Sequence, residues 1–335
     1  MKLFLSCLLF ALLLATPFAQ VPYSPTYPRW LKNSTTNSDQ TSGITYLRTT
    51  GSTKEFLLAD DTGFLRRLLI TDDTVFTIRT LVLSPDVQTN LKDFPKKDFE
   101  EISYDRQTGK IYLSIEGNNP DFKKYVGIYE ITFADNSIYN DTIVSLSKLA
   151  IEPNEEFLRY TDNNIGFEGF TMDHNYFYAG LEGFQTGRQF ADSTLLYIIG
   201  KQDLEIKKTI STRSLGIHTM CGLCAIGDGK LLVMDRNNAK LSYIEIDNDL
   251  NAKYISGIAI PPAIPGYRNL PYIASLESVT MDDQKNIYLV DDPWKSMFSP
   301  IKEILNQLDA VTQNNFHEYI PVIYKLNFQQ LVIGK

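Results

Sequence analysis

The sequence predicts an all-β fold, a β-propeller of four-stranded antiparallel blades, with five blades favoured and six the alternative. Three observations point there. A phrase of strand, turn and strand, opened by a small or acidic pair and closed by an acid, recurs five times at intervals of about 55 to 70 residues. Two further alternating segments follow each copy, so every unit offers four strands. The composition suits strands, with 19 Tyr and 19 Phe in a chain that is 12% aromatic. Four antiparallel strands per repeat define a propeller blade, and radial repetition hides most sheet edges. A generic β-sandwich leaves the recurring phrase unexplained.

The chain opens with Lys2, an apolar run from Leu3 to Ala15 and a cleavage region ending at Ala19. This predicts a secretory signal peptide over 1–19, too short for a comfortable membrane span. Cys7 lies inside the apolar run rather than after it, which argues against lipid attachment. No later segment is long and apolar enough to cross a bilayer, so a secreted or periplasmic product is expected. Residues 20–40 read as an N-terminal extension and 41–335 as one propeller domain.

The blades are expected near 41–97, 98–165, 166–219, 220–275 and 276–335. Their inner strands open at Ser42, Glu100, Glu168, Cys221 and Glu277, and their second strands end at Asp61, Glu116, Glu182, Asp235 and Asp292. The last unit is completed by Pro321–Asn327 and a short strand Gln330–Ile333. A sixth blade would have to come from the wide interval 99–167 or from Val21–Asp39. Between the second and third strands of the last unit, Ser299 and Pro300 predict a helix near 299–312. Ile301, Ile304, Leu305, Leu308 and Val311 share one face of it by spacing. It is expected to cover the rim of the propeller, with Trp294 and Met297 leading in.

Composition narrows the function. The net charge is −8, from 32 basic and 40 acidic residues. No basic stripe gathers, which argues against nucleic-acid binding. With 43% hydrophobic residues a core is assured. Three His and three Cys cannot build a histidine- or cysteine-rich metal site. Cys221 and Cys224 form a C-x-x-C pattern, but in a strand–turn–strand setting, so they read as small buried strand residues rather than a redox pair. Asn33 and Asn140 open glycosylation sequons. No G-x-S-x-G elbow is present, which disfavours a serine nucleophile.

In a blade the second strand runs back antiparallel to the first, so the start of one and the end of the other share one end of the channel. Closing the ring should gather the acids there. Crowded carboxylates raise one another's pKa, and a hard divalent cation with oxygen ligands relieves them. Glu100, Glu168, Glu277, Asp61, Glu116, Glu182 and Asp292 are therefore the expected metal ligands, with Ca2+ the expected ion. Glu100, Glu168 and Glu277 are also the catalytic candidates. The plainer reading is that acids at strand ends cap turns or face solvent. Arg236, Arg188, Lys97 and His218, with Lys295, are candidates for holding an anionic substrate. His174 is placed at the opposite end as a structural residue.

Three stretches carry a likeness to known proteins: Phe99–Asp105 with Ile111–Glu116, Gly166–Met172 with Tyr178–Glu182, and Leu276–Asp282 with Ile287–Asp292. They resemble the phytase-like propeller family, described by the esterase-like activity of phytase, and the related SdiA-regulated propellers. The resemblance implies a calcium-stabilised propeller and hydrolysis of phosphate or other esters. Glu100, Glu168 and Glu277 match the family's glutamate pattern, whereas Ser42 and Cys221 depart from it. The expectation is an exported, calcium-binding, monomeric hydrolase of a small anionic phosphoester or related ester. A non-catalytic propeller with a structural calcium, binding a glycan, peptide or protein, is the alternative. A lactonase-like hydrolase is the third reading.

Overall fold

Five four-stranded antiparallel sheets form a ring in the computed structural model, which describes residues 23–94, 97–117, 121–186, 189–293 and 298–333. The first blade runs Thr41–Thr50, Thr53–Asp60, Phe64–Thr71 and Val75–Thr80. The second runs Phe99–Asp105, Lys110–Ile115, Gly127–Phe133 and Thr142–Lys148, with Val82–Leu83 added in parallel at its edge. The third uses Gly169–Met172, Tyr176–Gly180, Leu195–Gly200 and Ile206–Ser211. The fourth uses Gly222–Gly227, Lys230–Asp235, Lys240–Ile246 and Ala252–Ala259. The fold is a five-bladed propeller. The wide interval after Phe99 holds longer connections within and after the second blade, not a sixth sheet.

Local chemistry sets the tight turn between first and second strands. Asp105 accepts from Gln107 N and Thr108 Oγ1, Asp173 from Asn175 N and Tyr176 N, and Asp282 from Gln284 N and Asn286 N. A short carboxylate bonding the backbone two residues on is what makes Asp a turn former. The second strands are apolar on both faces because each is covered by a blade on either side. Leu231 and Val233 pack with Tyr178, Leu196 and Ile198 of the third blade, while Leu232 and Met234 pack with Val279, Ile287 and Leu289 of the fifth. The same two-residue alternation sends Phe56 and Leu58 toward Tyr288 and Val290, and Leu57 and Ala59 toward Ile102 and Leu113. The hydrophobic core is thus five clusters, one at each junction between blades.

The fifth blade departs from expectation. Its first three strands are Leu276–Met281, Asn286–Asp291 and Val322–Asn327, but its outer strand is Arg29–Trp30 from the start of the chain. Residues Gln330–Ile333, expected as that strand, lie in a helix, Phe328–Ile333. Arg29 and Trp30 pair with Ile323 and Val322, so the segment read as an extension closes the ring. Tyr27 and Leu31 beside it are fully buried among the side chains joining the first and fifth blades.

The insertion between the second and third strands of that blade is also different. It forms two short helices, Lys302–Leu305 and Ala310–His317, in place of one. Asp309 accepts from Thr312 N at 2.8 Å and starts the second helix, which breaks the expected continuous face. Ile301 and Val311 are consequently exposed. Leu308 and Phe316 pack on the outer part of the blade, Phe316 edge-on to Trp30 at 5.0 Å between ring centroids. Trp294 and Met297 fall outside the described residues, as does the leader expected over 1–19.

Closure by the N-terminal segment has a measurable consequence. Leu31→Ala, although outside every repeat, is expected to lower the unfolding free energy by about 2–5 kcal/mol, as for a fully buried leucine. Chemical denaturation reads this directly, and an unchanged midpoint would contradict ring closure through this segment.

Candidate functional site: an acidic mouth divided by an arginine

The inner strands converge so tightly at the axis that two of them require glycine. A Cβ on Gly43 would lie 2.3 Å from Glu100 O, and one on Gly222 would lie 2.7 Å from Glu277 O. This is the physical reason for the small residue that follows Ser42 and Cys221 in the repeat. Bulges then aim the side chains. Pairing slips by one residue between Thr41 and Gly43, between Phe99 and Ile102, and between Leu276 and Ser278. The extra residues at these slips are Ser42, one of the Glu100–Glu101 pair, and Glu277. A bulge re-aims a side chain that regular pleating would bury between blades.

One cavity of about 70 Å³ receives these side chains at a single end of the channel. Ser42, Glu100, Glu168 and Glu277 reach it from the inner strands, and Asp61, Glu116, Glu182 and Asp292 from the ends of the second strands. The seven acids expected as metal ligands all line it, whereas Asp235, expected at the same mouth, does not. Sequence reasoning missed Asp98, which joins them two residues ahead of Glu100. In the third and fifth units the corresponding places hold Gly166 and Ser275, so the repeat gave no signal for an acid.

The fourth blade breaks the pattern. Asp235 does not line the cavity; it is buried and accepts from His218 N at 2.9 Å, Thr219 Oγ1 at 3.0 Å and Asn238 Nδ2 at 2.7 Å. Asp60 in the first blade is held likewise by Ser38 Oγ, Thr41 Oγ1 and Arg66. The mouth position is therefore the residue after the strand: Asp61 in the first blade, Asp292 in the fifth and Arg236 in the fourth. One blade supplies a guanidinium where the others supply a carboxylate.

Arg236 divides the mouth. Its Nη1 donates to both oxygens of Glu277 at 2.7 and 2.8 Å, its Nη2 bonds Glu182, and Glu168 Oε2 lies 3.6 Å from Nη1. Ser275 Oγ also donates to Glu277. Burial pushes the Glu168 and Glu182 carboxyls up; Arg236 draws both back, and Glu277 raises both. Cys221, fully buried beside Glu168 and Glu277, is pushed well up by burial and remains a thiol.

The other half gathers Asp61, Asp98 and Glu100, whose nearest oxygens lie within 4.8 Å of one another. Burial pushes Glu100 well above the ordinary carboxylate range, and Asp98, Glu116, Asp61 and Glu168 add to it. Such a set of hard oxygens fits a divalent cation such as Ca2+ or Mg2+. Of the basic candidates, only Arg236 lines the cavity. Lys97 packs against Gly63, His218 serves the Asp235 turn through its backbone, and Arg188 and Lys295 fall outside the described residues. His174 lies at the opposite end, as expected.

The sequence profile of a phytase-like family, described by the esterase-like activity of phytase, matches residues 38–293. The chain belongs to this phytase-like family. No curated protein matches it in sequence. Among solved structures, the phytase-like chain is similar to a GH43_1 enzyme from Xanthomonas citri in complex with xylose. That likeness has a TM-score of 0.51 at 8% identity and covers 90% of this chain and 89% of the other. It is also similar to an exo-β-1,3-galactanase from Phanerochaete chrysosporium with β-1,3-galactotriose. There the TM-score is 0.51 at 9% identity, over 92% of this chain and 65% of the other. At these identities the likeness shows the propeller fold alone. Among the described residues, no helix is long and apolar enough to cross a membrane.

The division of the mouth has a direct test. Arg236→Met removes the cation from three buried carboxylates and is expected to cost about 3–5 kcal/mol of stability at neutral pH. Without Arg236 the Glu168 and Glu182 pKa values, already raised by burial, rise further above their unfolded values. The native state then binds more protons than the unfolded one, so the deficit grows as pH rises and shrinks toward pH 5. Urea midpoints across this range check it, and wild-type stability at neutral pH would refute the clamp.

Proposed function

We propose that this chain is an exported, calcium-binding, phytase-like propeller that hydrolyses a phosphoester or related ester at its acidic mouth. The observation that carries the reading is the asymmetry of the mouth: Arg236 hydrogen-bonds Glu182 and Glu277 with Glu168 near it, and an adjoining group, Asp61, Asp98 and Glu100, is suited to a hard cation. Family membership supports the hydrolytic class.

Asp61, Asp98 and Glu100 would hold the cation, with Glu116 between Glu100 and the Glu168–Glu182 pair. When bound, a divalent cation polarises a phosphoryl or carbonyl oxygen and lowers the pKa of a coordinated water. The chain's own residues supply the rest. Glu168 and Glu182 each bring an oxygen within 4.8 Å of the other and burial pushes both carboxyls up, so Glu168 is placed to carry a proton to a leaving oxygen. Glu277 anchors Arg236, whose guanidinium faces negative charge developing on the substrate. This gives the three glutamates distinct tasks: Glu100 binds the metal, Glu168 handles the proton and Glu277 positions Arg236.

A second reading draws on size. A cavity of about 70 Å³ holds an ion and a few waters rather than an ester, which favours a structural cation beneath a non-catalytic binding mouth. One experiment separates the two. Calcium at about a hundredfold excess over its Kd should stabilise the native chain by about 2.7 kcal/mol. Asp61→Asn with Glu100→Gln should abolish both that shift and turnover of a phosphoester panel. Stabilisation without turnover supports the second reading. Turnover that survives these substitutions and chelation removes the first.

A further inference from the structure

The larger cavity of the channel, about 330 Å³, opens at the end away from the acids. Glu101 seals it from the mouth: its carboxylate, 1% exposed, accepts from Ser278 Oγ at 2.6 Å and Ile102 N at 3.1 Å. The amides of Leu223 and Ile44 also face it. Ile44, Ile102 and Leu223 in turn line the far pocket, whereas Glu100 lines the mouth. The carboxylate of Glu101 therefore stands between two spaces that share an axis and nothing else.

The walls of the pocket carry hydroxyls from four blades: Ser103 in the second, whose Oγ donates to Met172 Sδ at 3.7 Å, and threonines in the first, third and fifth. Thr45 Oγ1 accepts Tyr104 N at 3.2 Å, Thr171 Oγ1 accepts Ala225 N at 2.9 Å, and Thr280 Oγ1 accepts Tyr46 N at 3.0 Å. Each bond stitches one blade to the next and fixes the hydroxyl oxygen in place. A hydroxyl that accepts in this way still has its own proton to donate. Between these groups, Tyr46 and Tyr104 offer ring faces, and Met172 and Met281 offer polarisable apolar surface.

Most charge at the rim is engaged within the protein; among the described residues Asp228 is held only by His174 N, at 3.3 Å. Arg106 is bonded to Asp283, Lys201 to Asp105 at 2.7 Å, and Asp173 accepts from Tyr178 OH at 2.6 Å and Gly229 N at 2.8 Å. A charged ligand would have to break these pairs, whereas an uncharged one leaves them intact.

We propose that this pocket is a second ligand site, for a small uncharged cyclic polyol of monosaccharide size. Oxygens of the ligand would accept from the threonine hydroxyls while its C–H face lies on the tyrosine and methionine side chains. A volume of this order is at the lower end of small-molecule sites. The site does not depend on the reading of the acidic mouth.

Saturation-transfer NMR on the whole chain tests it, with D-galactose, D-xylose and myo-inositol as neutral probes and D-glucuronate and D-glucosamine as charged ones. At least one neutral probe should bind, and the charged ones should bind more weakly. Ser103→Phe places a ring in the cavity and should weaken binding about tenfold or more. Met281→Trp fills it from a partly exposed position and should do the same, which keeps the test open if the first variant misfolds. Asp61→Asn with Glu100→Gln should leave binding unchanged. Three outcomes overturn the site: no neutral probe bound, charged probes bound as well as neutral ones, or binding lost in the mouth variant and kept in the filled ones.

Discussion

The constraint on which the molecule rests is the convergence of five inner strands on one axis. Backbones approach so closely there that Gly43 and Gly222 have no room for a side chain. In the first, second and fifth sheets the register also slips there, and the slips at Ser42, the Glu100–Glu101 pair and Glu277 turn side chains toward the axis. Packing at the blade junctions fixes how near the strands come, and that nearness decides what the channel can hold. An acidic mouth in this fold is a consequence of ring closure as much as of the acids themselves.

Much of this was legible in the sequence because the repeat encodes it twice, in the period of apolar residues and in the acids that end strands. The turn aspartates, the two-sided second strands and the gathering of seven acids at one end all follow from that phrase. The outer strand of the fifth blade was not legible. Arg29–Trp30 carries no trace of the repeat, and its partner Val322 lies almost the whole chain away. Gln330–Ile333 has strand-forming residues, but the edge it would have filled is already occupied. Asp98 and Glu101 were missed for a related reason: each owes its role to a single blade, and a repeat reveals only what blades share.

The acid pairs show how a one-residue register decides chemistry. In Asp60–Asp61 and Asp291–Asp292 the first acid is consumed by the fold and the second faces the mouth. Asp291 accepts from Tyr272 OH and Val322 N, and burial raises it to about 7. Sequence reasoning placed Asp235 at the mouth and Arg236 near it as a substrate group. The structure reverses the weight of the two: the aspartate is a turn element, and the arginine takes the mouth position.

That exchange bears on how many cations the mouth can hold. A ring of like charges in a small buried space is unstable unless most of it is neutralised. Arg236 supplies a permanent charge to one half, fixed in position by two hydrogen bonds to Glu277 and needing no ion from solution. The half formed by Asp61, Asp98 and Glu100 has a different donor set, hard oxygens without a guanidinium among them. A single divalent ion in that half, beside a guanidinium built into the other, would place two positive centres against one small space without requiring two metals. In an anion-processing site that pairing has a clear use, since substrate oxygens can be shared between an exchangeable cation and one the chain never loses.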